Sequence, residues 1–407
     1  MSETLRELLD LLLRWVHVIA AIMWIGNSLL FNWLDRTLRP AARPQQASQG
    51  ETWLLHSGGF YQVEKTISPS IGMPRPLHWF KWQAYTTWLS GAALLIVVYW
   101  MSGTAMLVGA GSTMSDTQAV LLGAGVIVGG WLVYEALLRT PLARAAPPIG
   151  ALVGLALVLA LAWWLTRVFT GRAAFLHIGA LLGTLMAANV VFGIMPAQRA
   201  LIASVESGAP PDTASSERAK LRSIHNNYFT FPVIALMLSS HFPSLYQGDA
   251  GWLRLGVLVL LGAGARHVLN VRYTYRGWKP ALGAVIVLGT GALWLLVSRP
   301  GAGSGADPER TGVVAGPVSF GTVEAIIGKR CTVCHSASPA IRTFGAPPVG
   351  VEFDTPEQIR RLAPRIHARA VETETMPPGN ATFMTDDERE ILGRWTAGDA
   401  ADGSRSN

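Results

Sequence analysis

The run KRCTVCHSASP at residues 329–339 holds both cysteines of the chain, Cys331 and Cys334, spaced C-x-x-C and followed at once by His335. Two thiols at that spacing can form thioethers to the vinyl groups of a porphyrin, and the adjacent imidazole then reaches the iron; C-x-x-C-H is the attachment sequence of a c-type haem. A sixth ligand should be a soft sulfur on a later loop. TETMPPGN offers Met376, with Pro377 and Pro378 stiffening the loop behind it. His/Met ligation raises the potential and suits an electron acceptor. The competing reading, a chance match or a zinc half-site, is disfavoured because the chain has only these two cysteines and a well-spaced Met-Pro. His367 reads as a surface or packing histidine. TDDEREILGRW reads as a helix with Thr385 or Asp386 at its N-cap, acids in the first turn and Trp395 packing inward.

A second set of chemistry-bearing residues lies among apolar runs, where ionisable side chains are costly and often functional. Seven histidines occur in the first 300 residues. His17 and His177 sit early in similar stretches, VHVIAAIMWIGNSLLF and LHIGALLGTLMAANVVF. A fourfold-helix repeat about an axis along the membrane normal would set them face to face, as a bis-histidine haem b requires. The bland alternative is that they bond to backbone or headgroups. His78 and His225 open later helices in PLHWFKWQAY and SIHNNYFTFP. His78, Lys81, Trp82 and Tyr85 share one helical face by spacing. HSGGFYQVEK adds Phe60, Glu64 and Lys65, and RHVLNVR adds Arg266 and His267. Such a rim of imidazole, amide, cation and aromatic ring suits a flat, nitrogen-rich anion.

These residues need elements to hold them. Half of the 407 residues are hydrophobic and 14% are charged, against roughly 25% charged in soluble proteins. Eight apolar runs, near 8–34, 79–100, 119–138, 149–170, 174–195, 228–242, 252–270 and 280–298, approach the roughly 20 residues needed to cross a hydrocarbon core. The sixth is the weakest, with Pro232 inside it. The expectation is an all-α protein: an eight-helix integral membrane bundle over 1–299, built as a 4+4 repeat. A flexible Gly/Ser/Pro linker over 300–317 and a class I cytochrome c domain over 318–407 follow. The net charge of +7 does not form a nucleic-acid patch. With Arg266 and Arg167, near the ends of their runs, counted in the loops they adjoin, loops after odd-numbered runs carry fifteen Lys and Arg against two in the alternate loops, which places the former in the cytoplasm. Both termini and the haem tail are then expected in the periplasm of a bacterial inner membrane.

Taken together, HSGGFYQVEK, PRPLHWFKWQAYTTWLSG, LHIGALLGTLMAAN, HNNYFTFP, RHVLN, CTVCHSASP and TETMPPGNATFMTDDER make the chain resemble the membrane-bound, cytochrome c-fused urate oxidases (urate hydroxylases) of bacteria. The resemblance runs over roughly residues 8–400. It implies oxidation of urate to 5-hydroxyisourate, with electrons passed to the fused haem c and on to a respiratory carrier rather than to oxygen. On that footing His78 or His225 is the expected base, oriented by Glu64. Lys81, Arg222 or Arg266 holds the monoanion, and Asn226 or Asn227 the ring amides. Phe60, Trp79 or Trp82 stacks on the ring, with His267 beside it. One hop across about 30 Å of membrane would be slow, which is the physical argument for the second haem at His17/His177. Partners are urate, lipid and the electron acceptor, with oligomers allowed. Two alternatives stand: a non-catalytic cytochrome b/c subunit oxidising quinol, and a transporter whose tail senses redox state.

Overall fold

A computed structural model describes residues 3–402 apart from 45–46, 68–72, 75, 103, 109–111, 142–144, 211, 247, 299–317, 338–349, 378–379, 381 and 383. The expected linker at 300–317 and Pro378 lie outside the described residues.

Each apolar run becomes a helix. They are α1 (Glu3–Thr37), α2 (Lys81–Leu94), α3 (Asp116–Arg139), α4 (Pro147–Val168), α5 (Gly171–Ser207), α6 (Thr213–Ser239), α7 (Gly251–Val271) and α8 (Trp278–Val297). Their ends follow local chemistry. Ser115 and Gln118 form a reciprocal capping box at the start of α3, and Pro147 occupies the first turn of α4, where its missing N–H costs nothing.

Six of the eight, α1, α3, α4, α5, α7 and α8, are long and apolar enough to cross a membrane. The other two are helices of a different make. α2 passes into a π turn (Leu95–Tyr99) and a 3-10 turn (Trp100–Ser102), and the first half of α6, TASSERAKLRSIHNN, is polar. The residues that make α6 interesting are the ones that dilute its apolar pattern.

α5 is the central helix, packed against α2, α3, α4 and α6, while α7 packs on α4, α6 and α8. The core between them is built from Leu95, Tyr99, Val126, Leu165, Phe175, Ile178, Leu182, Leu236 and Leu255. Outside it, Leu11, Trp15, Ile22, Leu152, Val287, Leu288 and Trp294 are exposed. So large an apolar exterior on helices of spanning length suits a hydrocarbon solvent.

The all-α expectation needs one correction. Residues 48–66 form an antiparallel hairpin, β1 (Ser48–His56) and β2 (Gly59–Thr66), turning at Ser57–Gly58. Both turn residues have positive φ, 50° and 76°, the requirement of a two-residue turn matched to strand twist. The hairpin is tied to the end of α1 by the Arg39–Glu51 bridge and the Lys65–Asp35 ion pair at 2.7 Å. Gly50, at φ 122°, lets the strand pass Arg39: a Cβ there would lie 2.6 Å from the Arg39 carbonyl oxygen.

The tail forms α9 (Phe320–Arg330), α10 (Pro356–Arg361), a further helical stretch at 363–372, and α11 (Asp386–Asp402). They close over their own core of Val323, Ile327, Phe353, Ile359, Ile366, Met384, Leu392 and Trp395. Thr385 caps α11 as expected, accepting the Glu388 N–H at 3.1 Å while Glu388 accepts the Thr385 N–H at 2.8 Å.

Candidate functional site

α6 divides the polar interior of the bundle. Successive helical residues point about 100° apart, so the neighbours Asn226 and Asn227 serve different partners. Asn226 faces α5 and Asn227 faces α7.

On the α5 side the polar groups are largely paired with one another. Arg222 donates to both carboxylate oxygens of Glu135, at 2.6 and 2.8 Å, and to Asn189 Oδ1 at 2.8 Å. That fixes the Asn189 amide, whose Nδ2 donates to the Tyr134 oxygen and to Asn226 Oδ1, each at 2.9 Å. The Tyr134 hydroxyl lies 2.8 Å from His225 Nδ1, and Asn226 Nδ2 donates to the Met186 carbonyl at 3.0 Å. Asn189 opens a π turn within α5 (Asn189–Ile194), a device frequent at functional sites. Tyr134, Glu135 and Asn189 have no part in the sequence-based assignment. The available signal was a glutamate inside an otherwise apolar run.

On the α7 side the network is open. Asn227 Oδ1 accepts from Arg266 Nε at 3.0 Å and from Asn270 Nδ2 at 2.7 Å. Arg266 is 3% exposed and Asn270 5% exposed, yet Arg266 Nη2 and Asn270 Oδ1 have no hydrogen-bond partner among the described residues. Among the described residues no carboxylate pairs with Arg266. Each unpaired buried polar atom costs about 1–3 kcal/mol, and folded proteins keep such atoms few.

The Arg266 guanidinium lies 5.6 Å from the centroid of the Phe231 ring. Phe231 also lines an apolar crevice of about 370 Å³ shared with Ile234, Leu258, Gly262 and Ile286. Gly262 permits the close approach of α7 to α6, since a Cβ there would sit 2.8 Å from the Pro232 nitrogen. On the outer flank of the same seam the Tyr228 hydroxyl is 2.7 Å from Nδ1 of the exposed His267, with the rings stacked 6.0 Å apart. One seam therefore offers a buried cation, an unpaired acceptor, a flat ring and an accessible imidazole.

The remaining sequence-predicted residues lie elsewhere. His78 is exposed at the approach to α2 and makes no hydrogen bond among the described residues. Lys81 sits 5.2 and 5.6 Å from the ring centroids of Trp79 and Trp82, and Trp82 meets Tyr85 edge-on at 5.9 Å. Phe60, 77% exposed, pairs with Leu55 near the hairpin turn, and Glu64 pairs across the strands with Glu51.

His17 and His177 are bonded differently from each other. His17 Nδ1 approaches the Thr87 carbonyl oxygen at 2.9 Å and the Ser90 hydroxyl at 3.2 Å, both on α2. His177 is fully buried. Its Nδ1 donates to Ala173 O at 2.8 Å within its own helix, and its Nε2 accepts from Trp100 Nε1 at 3.2 Å. A Cβ on Gly123 would stand 2.7 Å from that Nε2. The Nδ1 bond is one that a ligating histidine also makes; what stands against His177 as an iron ligand is Nε2, already accepting from Trp100 with the Gly123 backbone packed beside it.

The tail residues do fit a covalent haem. The His335 N–H donates to Cys331 O at 2.9 Å, closing the turn. His335 Nδ1 donates to Val351 O at 3.0 Å, which leaves the Nε2 lone pair for a metal. Met376 has its backbone pinned by Arg369 O at 2.9 Å and Arg389 Nη1 at 3.0 Å, with its side chain half-buried. Met384, by contrast, is packed in the tail core. Burial pushes the Cys331 thiol up to about 12. Among the described residues no group of three His, Cys, Asp or Glu could hold a metal ion. His367 bonds Thr396 at 2.7 Å, as a packing histidine does.

A family model described as Urate oxidase N-terminal matches residues 3–297, a stretch that takes in the hairpin and α1 to α8. No curated protein and no solved structure matches the chain.

Proposed function

The chain belongs to the urate oxidase N-terminal family, and from that premise we propose that the bundle oxidises urate to 5-hydroxyisourate at the seam between α6 and α7. The observation that carries this reading is Arg266, a buried guanidinium with, among the described residues, an unpaired nitrogen and no carboxylate partner. A buried charge is costly unless paired, and the urate monoanion supplies the pairing. Phe231, whose ring lies near the guanidinium, offers a flat face on the crevice side.

The reaction removes two electrons and two protons from urate plus one water. His267 stands on this seam where His78 and His225 do not, so it is the base we assign. With Nδ1–H donating to the Tyr228 oxygen, Nε2 keeps the lone pair that takes a proton from the attacking water. Cys331, Cys334, His335 and Met376 would hold a c-type haem, which would supply one-electron acceptance. The excess of basic residues in the loops after odd-numbered runs supports a periplasmic tail and a cytoplasmic mouth to the urate site.

The test is anaerobic addition of urate to the purified full-length protein while the haem absorbance is followed. Reduction dependent on urate is expected, and its loss in Arg266→Gln. Quinol oxidation is the second reading, favoured by the apolar lining of the crevice. A spectrum unmoved by urate but reduced by quinol establishes that reading instead.

A further inference from the structure

We propose that Arg266 Nη2 and Asn270 Oδ1 together read one lactam edge of the substrate, a ring carbonyl and its neighbouring N–H, and that Asn270 sets which edge of the purine faces the catalytic side. The inference rests on the urate reading above and deepens it.

Residues 266 and 270 lie four apart on α7 and so share one face. Both are anchored to the same atom, Asn227 Oδ1, through Arg266 Nε and Asn270 Nδ2. Those bonds leave one donor on the arginine and one acceptor on the asparagine unpaired and buried. The Asn270 amide has no freedom to present its nitrogen, because Nδ2 is already committed to Asn227.

The pattern selects against ligands that can only accept hydrogen bonds. A phosphate or carboxylate satisfies Arg266 but sets its own oxygens against Asn270 Oδ1. A quinone carbonyl likewise pairs with the arginine and leaves the asparagine empty. A lactam satisfies both at once: its carbonyl oxygen accepts from Arg266 Nη2, and its N–H donates to Asn270 Oδ1. Sites that pair a buried acceptor with a substrate N–H reject analogues that lack it far more strongly than apolar pockets reject a methylene.

The experiment uses the full-length protein in detergent, an added one-electron dye as acceptor, and urate beside its 1-, 3-, 7- and 9-methyl derivatives. One methyl isomer is expected to lose about tenfold to a hundredfold in kcat/KM, chiefly through KM. Asn270→Leu should lower urate by a similar factor and treat that isomer no worse than urate. Arg266→Lys should lower urate and all the isomers together. Isomers within about twofold of one another in the wild-type protein overturn the inference, as does Asn270→Leu protein that keeps the discrimination. The isomer comparison needs no variant, so a misfolded Asn270→Leu chain does not shield it. Wild-type protein that oxidises no urate overturns the parent reading as well, whereas urate oxidation with a flat response to methylation overturns this inference alone.

Discussion

Replacing Glu388 by Ala tests how the tail holds its two candidate iron ligands in register. Arg330 immediately precedes Cys331, and its side chain is 8% exposed. Its guanidinium meets Glu388 through Nε at 2.8 and 3.0 Å and Nη2 at 2.9 Å. Arg330 also donates to the Thr382 carbonyl, and Thr382 Oγ1 donates back to the Arg330 carbonyl at 2.9 Å. The arginine thus staples the end of α9, which carries the C-x-x-C-H turn, to the segment that follows Met376. Glu388→Ala leaves a buried guanidinium without its counter-charge, at about 3–5 kcal/mol, and strips the Thr385 N–H of its acceptor, at about 1 kcal/mol. A unit of this size is stable by roughly 4–12 kcal/mol, and each kcal/mol moves its midpoint by about 4–8 °C. The tail should therefore melt at least about 15 °C lower, while Glu388→Gln, which keeps hydrogen-bonding oxygen and shape, should lose less. Hydrogen exchange by mass spectrometry on peptides from α9 and α11 reads the change in the intact protein. A midpoint lowered by less than about 5 °C, with exchange across both helices unchanged, refutes the claim that this pair is buried and stabilising.

Met376→Ala should lower the haem potential and slow urate-driven reduction, and a titration with the same midpoint as wild type excludes that ligand. His177→Gln should leave the haem content by pyridine haemochrome unchanged, because Nε2 already accepts from Trp100; loss of a b-type signal contradicts this. Hydrogen bonds from Ser215 hold the Asp212 carboxylate at the start of α6 below the usual aspartate range. A group whose folded value is depressed stabilises above its unfolded value, near about 4, and that contribution fades only as pH falls below it. Exchange of the Ser215 amide should therefore stay protected from pH 7 to about 5 and be lost at all pH values in Asp212→Ala.

The tail illustrates what local pattern can specify. The C-x-x-C-H turn and the Thr385 cap each depend on neighbours within a few residues and stand where the spacing put them, while the inward Trp395 follows the apolar face of its helix onto distant Phe320. The helical runs were equally legible, since an apolar stretch of spanning length has few alternatives to a helix. The hairpin was not. HSGGFYQVEK announces a turn through its glycines, but pairing Trp53 with Gln62 and Leu55 with Phe60 requires two strands to find each other, and exposed aromatics gave no alternation to read.

The split of the polar residues around α6 is the sharpest case. Composition alone gathered His78, His225, Asn226, Asn227, Arg266 and His267 into one rim. The helical turn between Asn226 and Asn227 sends them to different neighbours, so His225 joins the network on α3 and α5 while Arg266 and His267 lie on the seam with α7. His17 and His177 look equivalent as sequence and differ in what each nitrogen touches. Sequence by itself determined residue type, helix and cap, because those are set by interactions along the chain. Which polar atoms are left unpaired, and hence where a ligand can bind, was decided only by the packing of distant helices, because satisfaction of a buried group depends on what lies across the interface from it.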